Sequence, residues 1–229
     1  MIQSELENKL QYIKNLSFFK SLNNGQIKNI SNISIVKTYP KNSILYYEND
    51  TKNKVYFLLS GLLKVYKIDK YENEIFLYHI YENHMISELT TIENDTIYCF
   101  SNTEFVEDSV ILEIDYDKFR NDFLSNGLLN HEFIREILQK NSQLHCIVNR
   151  ELVFDATAKV AFMLHDDLKI FNSKKRHEVS FMLHIQPETL SRVLKKLSRN
   201  LIIEIENSKV IIKNENALKR IYMGDIVDG

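Results

Sequence analysis

Glu188, Ser191, Arg192 and Lys195 recur at spacings of three and four residues, so a helix over Pro187–Leu197 carries them on one face. Together they offer a carboxylate acceptor, a hydroxyl, a bidentate donor and a cation of phosphate-contacting length. Such groups suit a DNA major groove, where Arg pairs with guanine and Glu accepts from cytosine. Leu190, Val193, Leu194 and Leu197 form an apolar stripe at the same spacing. Taken alone, the stretch reads more readily as a solvated surface helix with a buried underside.

The elements around it discriminate. Val179, Met182 and Leu183 predict a preceding helix, with Ser180 its small residue and Ile185 plugging the gap to the next. Gln186 is placed at the N-cap, Pro187 at the first helical position and Glu188 in the first turn, where N–H groups are unpaired and the helix end is partly positive. Two short helices joined by about three residues describe a helix-turn-helix whose second helix reads bases. Two β-branched runs within Asn200–Lys213 flank Glu206-Asn207-Ser208-Lys209, a hairpin signal. Helix, turn, helix and hairpin make a winged helix. Glu188, Ser191 and Arg192 are the candidate base readers. Lys174, Lys175, Arg176, Gln186, Thr189, Lys195 and Lys209 are the candidate contacts to the DNA backbone.

Charge supports this placement. Residues 1–156 hold 16 basic and 22 acidic side chains, whereas residues 157–223 hold 13 and 7. A basic C-terminal third on an acidic body is the asymmetry of a nucleic-acid module joined to a non-binding domain. With 229 residues the chain can hold two modest domains. No apolar run is long enough to predict a transmembrane helix, and acids near Met1 argue against a signal peptide, so a cytoplasmic location is expected. Cys99 and Cys146 are too few for an iron–sulfur cluster or a structural zinc site. With five Gly in the chain, Asn42, Asn49 and Asn83 stand at turn positions, and Asn tolerates positive φ.

Upstream, residues 4–15 and 24–32 have helical spacing. From 34 to 115 the chain turns to short β runs: Ile44–Tyr47, Val55–Leu59, Leu62–Tyr66, Glu74–Tyr81 and Val110–Ile114. That texture predicts a sandwich or small barrel. Asp117–Phe123 is a helical turn or two, Leu128–Phe154 a long helix, Ala156–Phe171 a second helix and Asn216–Tyr222 a last short one. Along the long helix Ile134, Ile137, Asn141, Leu144 and Val148 repeat as one side of a coiled coil, with Asn as the register-fixing residue. They are the candidate dimer seam, packing on the barrel being the alternative, and Leu138 and Leu152 offer a second apolar edge for the barrel side. A twofold dimer suits a palindromic site.

These features together resemble the Crp/Fnr superfamily of bacterial transcription regulators, over nearly the whole length. Glu188-Thr-Leu-Ser-Arg192 matches the family's E-T-x-S-R recognition helix and Val179–Ile185 its preceding helix. Lys41–Asp50, Val55–Tyr66 with Gly61, Phe105–Ser109 and Ile111–Ile114 are similar to its barrel strands. The resemblance implies an α+β chain: an N-terminal double-stranded β-helix barrel, cyclic-nucleotide-binding-like, over 1–127; a dimerisation helix over 128–154; and a winged helix-turn-helix over 155–229. It also implies a homodimer on a palindromic promoter site, Glu188, Ser191 and Arg192 reading a TGA-like half-site core, and contact with RNA polymerase if the protein activates.

Departures limit the effector. The family's cyclic-nucleotide binders carry G-E-L and, about ten residues on, an Arg. Here Ile86-Ser-Glu-Leu89 and Tyr98-Cys99 stand there, and residues 71–119 contain no Arg. Ser87, Glu88, Leu89, Tyr98 and Cys99 remain the candidate effector pocket, but a buried phosphate without a charge-assisted partner is costly. Strong binding of cAMP or cGMP is not expected. Haem is a candidate cofactor through His79, His84, His131, His145 or a cysteine, none at a recognised ligand spacing, and Cys99 is a candidate thiol switch. A ligand-independent or haem-based NO/CO sensor of the same fold is the alternative, followed by a cyclic-nucleotide-binding regulatory subunit. A cupin-type enzyme would need clustered metal ligands such as H-x-H, which do not occur, so no catalytic or metal-binding residue is assigned. His184, where a turn Gly is common, and Pro187 depart from the family pattern near the reader.

Overall fold

The structure, a computed structural model, describes residues 2–223. Contacts divide the chain into two compact units, Met1–Gln143 and Leu144–Gly229.

The first unit opens with α1 (Ile2–Asn15) and α2 (Asn24–Asn32). A reciprocal capping box starts α2: Gln26 N donates to Asn23 Oδ1 at 3.0 Å, and Asn23 N to Gln26 Oε1 at 2.8 Å. Nine strands follow: β1 (Ser34–Tyr39), β2 (Ile44–Tyr46), β3 (Thr51–Lys52), β4 (Lys54–Ser60), β5 (Leu63–Ile68), β6 (Glu74–Ile80), β7 (Ile97–Tyr98), β8 (Asn102–Phe105) and β9 (Ser109–Asp115). They pair antiparallel in sheets ordered β1-β9-β4, β2-β8-β5-β6 and β3-β7. One core lies between the N-terminal helices and β4 and β9, where Phe18, Phe19, Phe57 and Phe119 meet with ring centroids 5.0–6.3 Å apart. A second fills the barrel with Tyr46, Tyr56, Leu58, Val65, Cys99 and Phe105.

The turns follow the chemistry of their residues. Asn42, Asn49 and Asn83 adopt φ of 64°, 70° and 67°. Gly61, at φ 102°, lies so close to β9 that a Cβ would sit 2.1 Å from Ser109 Oγ, so no larger residue fits. The expected strand through Phe105–Ser109 is interrupted. Residues 106–108 form a turn, in which Asp108 accepts from Lys41 N at 2.8 Å. Strands β1, β8 (but for Phe105), β3 and β7 lie outside the β runs read from sequence. The latter two are two residues long, too short for any period-2 pattern.

After α3 (Tyr116–Phe119) the long helix α4 spans Asn130–Val148 and continues through a wider turn at Asn149–Val153. Its barrel side differs from expectation. Leu138 and Leu152 are 62% and 80% exposed. Phe133 packs on the core instead, and Glu136, 3% exposed, accepts from Met85 N at 3.4 Å.

The second unit contains α5 (Ala156–Asp166), α6 (Leu168–Ser173), α7 (Arg176–Met182), α8 (Pro187–Arg199), β10 (Ile203–Glu206), β11 (Lys209–Ile212) and α9 (Glu215–Met223). The single helix expected over Ala156–Phe171 is two. Asp167 leaves helical geometry (φ −143°, ψ 55°) and its carboxylate caps α6 by accepting from Ile170 N at 3.2 Å. Asp155 caps α5 in the same way, from Ala158 N at 2.8 Å.

Candidate nucleic-acid interface

Helix α8 separates its two faces completely. Leu190, Val193, Leu194 and Leu197 are buried, while Glu188, Ser191, Arg192 and Lys195 are exposed. Gln186 is its N-cap, with extended backbone but no side-chain cap bond, and Pro187 lies in its first turn. Arg192 is loosely tethered on its own helix, with Nε donating to Glu188 O and a terminal nitrogen to Thr189 Oγ1, each at 3.4 Å. Both bonds are long enough to exchange readily for base or phosphate acceptors.

The preceding helix α7 buries Val179 and Ser180, and its C-cap Leu183 is buried beside them. The turn into α8 is closed by His184 N donating to Phe181 O at 3.0 Å and Ile185 N to Ser180 O at 3.1 Å, with His184 left-handed at φ 52°. In the wing, Asn207 and Ser208 both have positive φ, 48° and 65°, as a two-residue type I′ hairpin turn requires. The turn leaves Lys209 exposed. Two residues anchor this wing. The Asn172 amide donates to Val210 O at 2.9 Å and accepts from Val210 N at 2.7 Å, as a paired strand would. Arg176 lies over the Phe171 ring at 4.8 Å and donates to Ser208 O at 2.7 Å. Arg176 therefore positions the wing, and of the flanking cations Lys175 is exposed and Lys174 half-buried. Asn172 carries no sequence signal, because a lone Asn on a short helix is common.

Of the five barrel residues expected to form an effector pocket, the structure brings Glu88, Leu89 and Tyr98 to one cleft and buries Ser87 and Cys99. Ser87 Oγ accepts from Tyr56 N at 3.0 Å. Glu88 accepts from Tyr78 Oη at 3.0 Å, Phe100 N at 3.1 Å and Ser101 Oγ at 3.3 Å, so the barrel's own groups occupy its carboxylate. Glu88, Leu89 and Tyr98 border a shallow cleft with Thr91 and Asn94. Tyr98 stands outward, bonded to Asn49 Oδ1 and edge-on to Phe100. Cys99, next along the strand, points the other way into the core at 3% exposure. Burial pushes its thiol up to about 11, so the thiolate needed for a fast redox or nitrosation switch is scarce at neutral pH. Cys99 should react with an aromatic disulfide reagent at pH 7 only as fast as the protein unfolds; a burst from native protein, absent in Cys99→Ala, would restore the switch.

One residue missed by the sequence reading enters this region. Lys140 of α4 points its ammonium at Ile86 O, 3.5 Å away. Burial lowers its pKa, while Glu88 and Glu136 oppose that shift. His79 packs its ring against Phe76 and Tyr81, centroids 4.8 and 6.2 Å away. Among the described residues no three His, Cys, Asp or Glu side chains gather as metal ligands would, and no helix is long and apolar enough to cross a membrane.

Known proteins match both units. Residues 36–126 match the cyclic nucleotide-binding domain and residues 168–221 the Crp-like helix-turn-helix domain, together more than half of the chain. The chain belongs to the Crp/Fnr superfamily. The anaerobic regulatory protein of Bacillus subtilis (strain 168) is 24% identical over 106 residues, a match spanning 46% of this chain and 44% of that protein. A CooA double mutant from Carboxydothermus hydrogenoformans superposes with TM-score 0.70 at 20% identity, covering 91% of this chain and 95% of its own. FixK2 from Bradyrhizobium japonicum gives 0.63 at 14%, covering 82% and 97%. The mixed α and β architecture, sheet domain first and helical reader second, is therefore that of Crp/Fnr structures.

Within this Crp/Fnr frame the reader residues and the barrel residues fare differently. Glu188, Ser191 and Arg192 stand together on an exposed helix face with their chemistry available. The barrel retains Glu88, but where a cyclic phosphate would need a cation it places Tyr98, which faces Asn49. Lys140 has two carboxylates near it already.

Proposed function

We propose that this chain is a sequence-specific DNA-binding transcription regulator, a homodimer reading a palindromic site. The observation that carries this reading is helix α8. It buries every apolar residue of its stripe and presents Glu188, Ser191, Arg192 and Lys195 outward beside an anchored wing. These are groups that discriminate base edges and hold phosphates. Selection from a random duplex pool by gel shift is the test. The expected product is an inverted repeat with half-sites about one helical turn apart, near 34–36 Å, and recovery of unordered sequences would refute it.

Homodimerisation rests on α4. Ile134, Ile137, Leu144 and Val148 are 55, 40, 56 and 49% exposed, with Asn141 exposed on the same stripe. An exposed coiled-coil stripe of this kind is stable in water when a second copy covers it. The location in the cytoplasm, the absence of enzymatic chemistry and contact with RNA polymerase in an activator follow from the same reading.

The controlling signal is not cAMP or cGMP. The Tyr78 hydroxyl occupies Glu88 as a ligand hydroxyl would, and residues 71–119 offer no Arg to pair with the phosphate. At a millimolar concentration, a nucleotide bound with micromolar affinity would add about 4 kcal/mol to stability. The midpoint of thermal unfolding is therefore expected to stay constant with either nucleotide, and a rise of several degrees would overturn this. The signal is a different effector, a gas or redox input at the barrel, or none. Protein purified without oxygen decides on haem by the presence or absence of a Soret band.

A further inference from the structure

We infer that Glu151 is a positioning residue that ties the end of the long helix to the turn of the reader module through His184. Glu151 lies in the wide turn Asn149–Val153 that ends α4. His184 lies 33 residues on, in the turn between α7 and α8, and its Nδ1 is 3.0 Å from Glu151 Oε2. Arg150 Nε donates to Glu151 Oε1 at 2.7 Å, and Lys159 Nζ of α5 lies 3.5 Å from Oε2. Three elements thus converge on one carboxylate. Burial pushes the Glu151 carboxyl up, but hydrogen bonds from His184 and Arg150 outweigh it and hold the group ionised below its ordinary range.

The histidine explains why the tie is more than a surface ion pair. A carboxylate only accepts, so Nδ1 carries the proton. Nε2 is buried without a hydrogen-bond partner, so Nδ1 makes the bond that anchors the ring. His184 also occupies a left-handed position, φ 52°, that favours glycine. A glycine would satisfy the backbone but could not reach Glu151. The strained residue is therefore the one that supplies the link. Any change in the end of α4 reaches the N-terminus of the reader helix two residues beyond His184.

The inference rests on the DNA-reading function, and its tests separate the two. On the selected duplex, E151Q and H184G are each expected to weaken binding roughly 3- to 30-fold, as residues coupling to a site do. Neither touches phosphate, so the slope of affinity against salt should not change. H184G should keep or raise the unfolding midpoint, because it relieves the turn while cutting the tie; a purely structural role would instead lower stability and affinity together. The double variant should be no weaker than the worse single one, since both break one link. Unchanged affinity in either variant, or additive losses, overturns the inference. If the wild type selects no duplex, the DNA reading fails, and amide exchange tests the tie alone. E151Q should then speed exchange at Ile185 and Gln186 severalfold without affecting α9, and equal rates would overturn it.

Discussion

Arg192→Ala is expected to weaken binding to the selected site by about 1–3 kcal/mol, roughly 5- to 150-fold, and to relax base preference at one position of each half-site. The guanidinium is exposed on α8, and in the free protein only two bonds of 3.4 Å hold it. Trading those for two short bonds to guanine O6 and N7 is a net gain that alanine cannot make. The loss should be steep on the selected duplex and slight on random DNA, because the contact carries sequence information. Lys195 provides the contrast. It lies on the same face, but its ammonium suits a phosphate, so Lys195→Ala should weaken all duplexes alike and lower the salt slope by about one. Gel shifts with selected and scrambled duplexes at several salt concentrations measure both. Equal losses of Arg192→Ala on the two duplexes would remove it from the base readers.

The reader module was legible because its constraints are local. Spacings of three and four fix the faces of α8, Pro187 fixes its start, and the wing turn follows from Asn207-Ser208 between β-branched runs. Three positive-φ turns were legible from Asn42, Asn49 and Asn83. What escaped depends on partners distant in sequence. The break at Asp167 was hidden because Leu164 and Leu168 preserve helical spacing across it. The barrel side of α4 was misassigned to Leu138 and Leu152, because spacing cannot rank apolar edges of one helix. The true contacts there include Glu136 and Lys140, polar groups that a hydrophobic pattern cannot find. In the effector region the sequence revealed the missing Arg. It could not show that Tyr78, from a different strand, takes the Glu88 carboxylate.

Leu144→Glu is expected to abolish the dimer at micromolar protein. Leu144 is 56% exposed in the single chain, so the substitution costs the fold little. In a twofold seam the same position of both copies faces the partner, and each copy would bring an unpaired carboxylate into an apolar contact. One uncompensated buried charge costs about 3–5 kcal/mol, so the dimer constant should weaken by at least roughly a hundredfold. Sedimentation velocity should show a dimer for the wild type and a folded monomer for the variant, with an unfolding midpoint lowered by the loss of association. DNA binding should change in kind as well as strength. A monomer grips one half-site, so its salt slope should fall to about half that of the dimer on the full palindrome. Asn141→Leu, on the same stripe, should act oppositely: association tightens, while the single preferred oligomer and register are lost, because a polar seam residue trades stability for specificity. A Leu144→Glu protein that remains dimeric would place the interface elsewhere and leave the Ile134–Val148 stripe to some other surface.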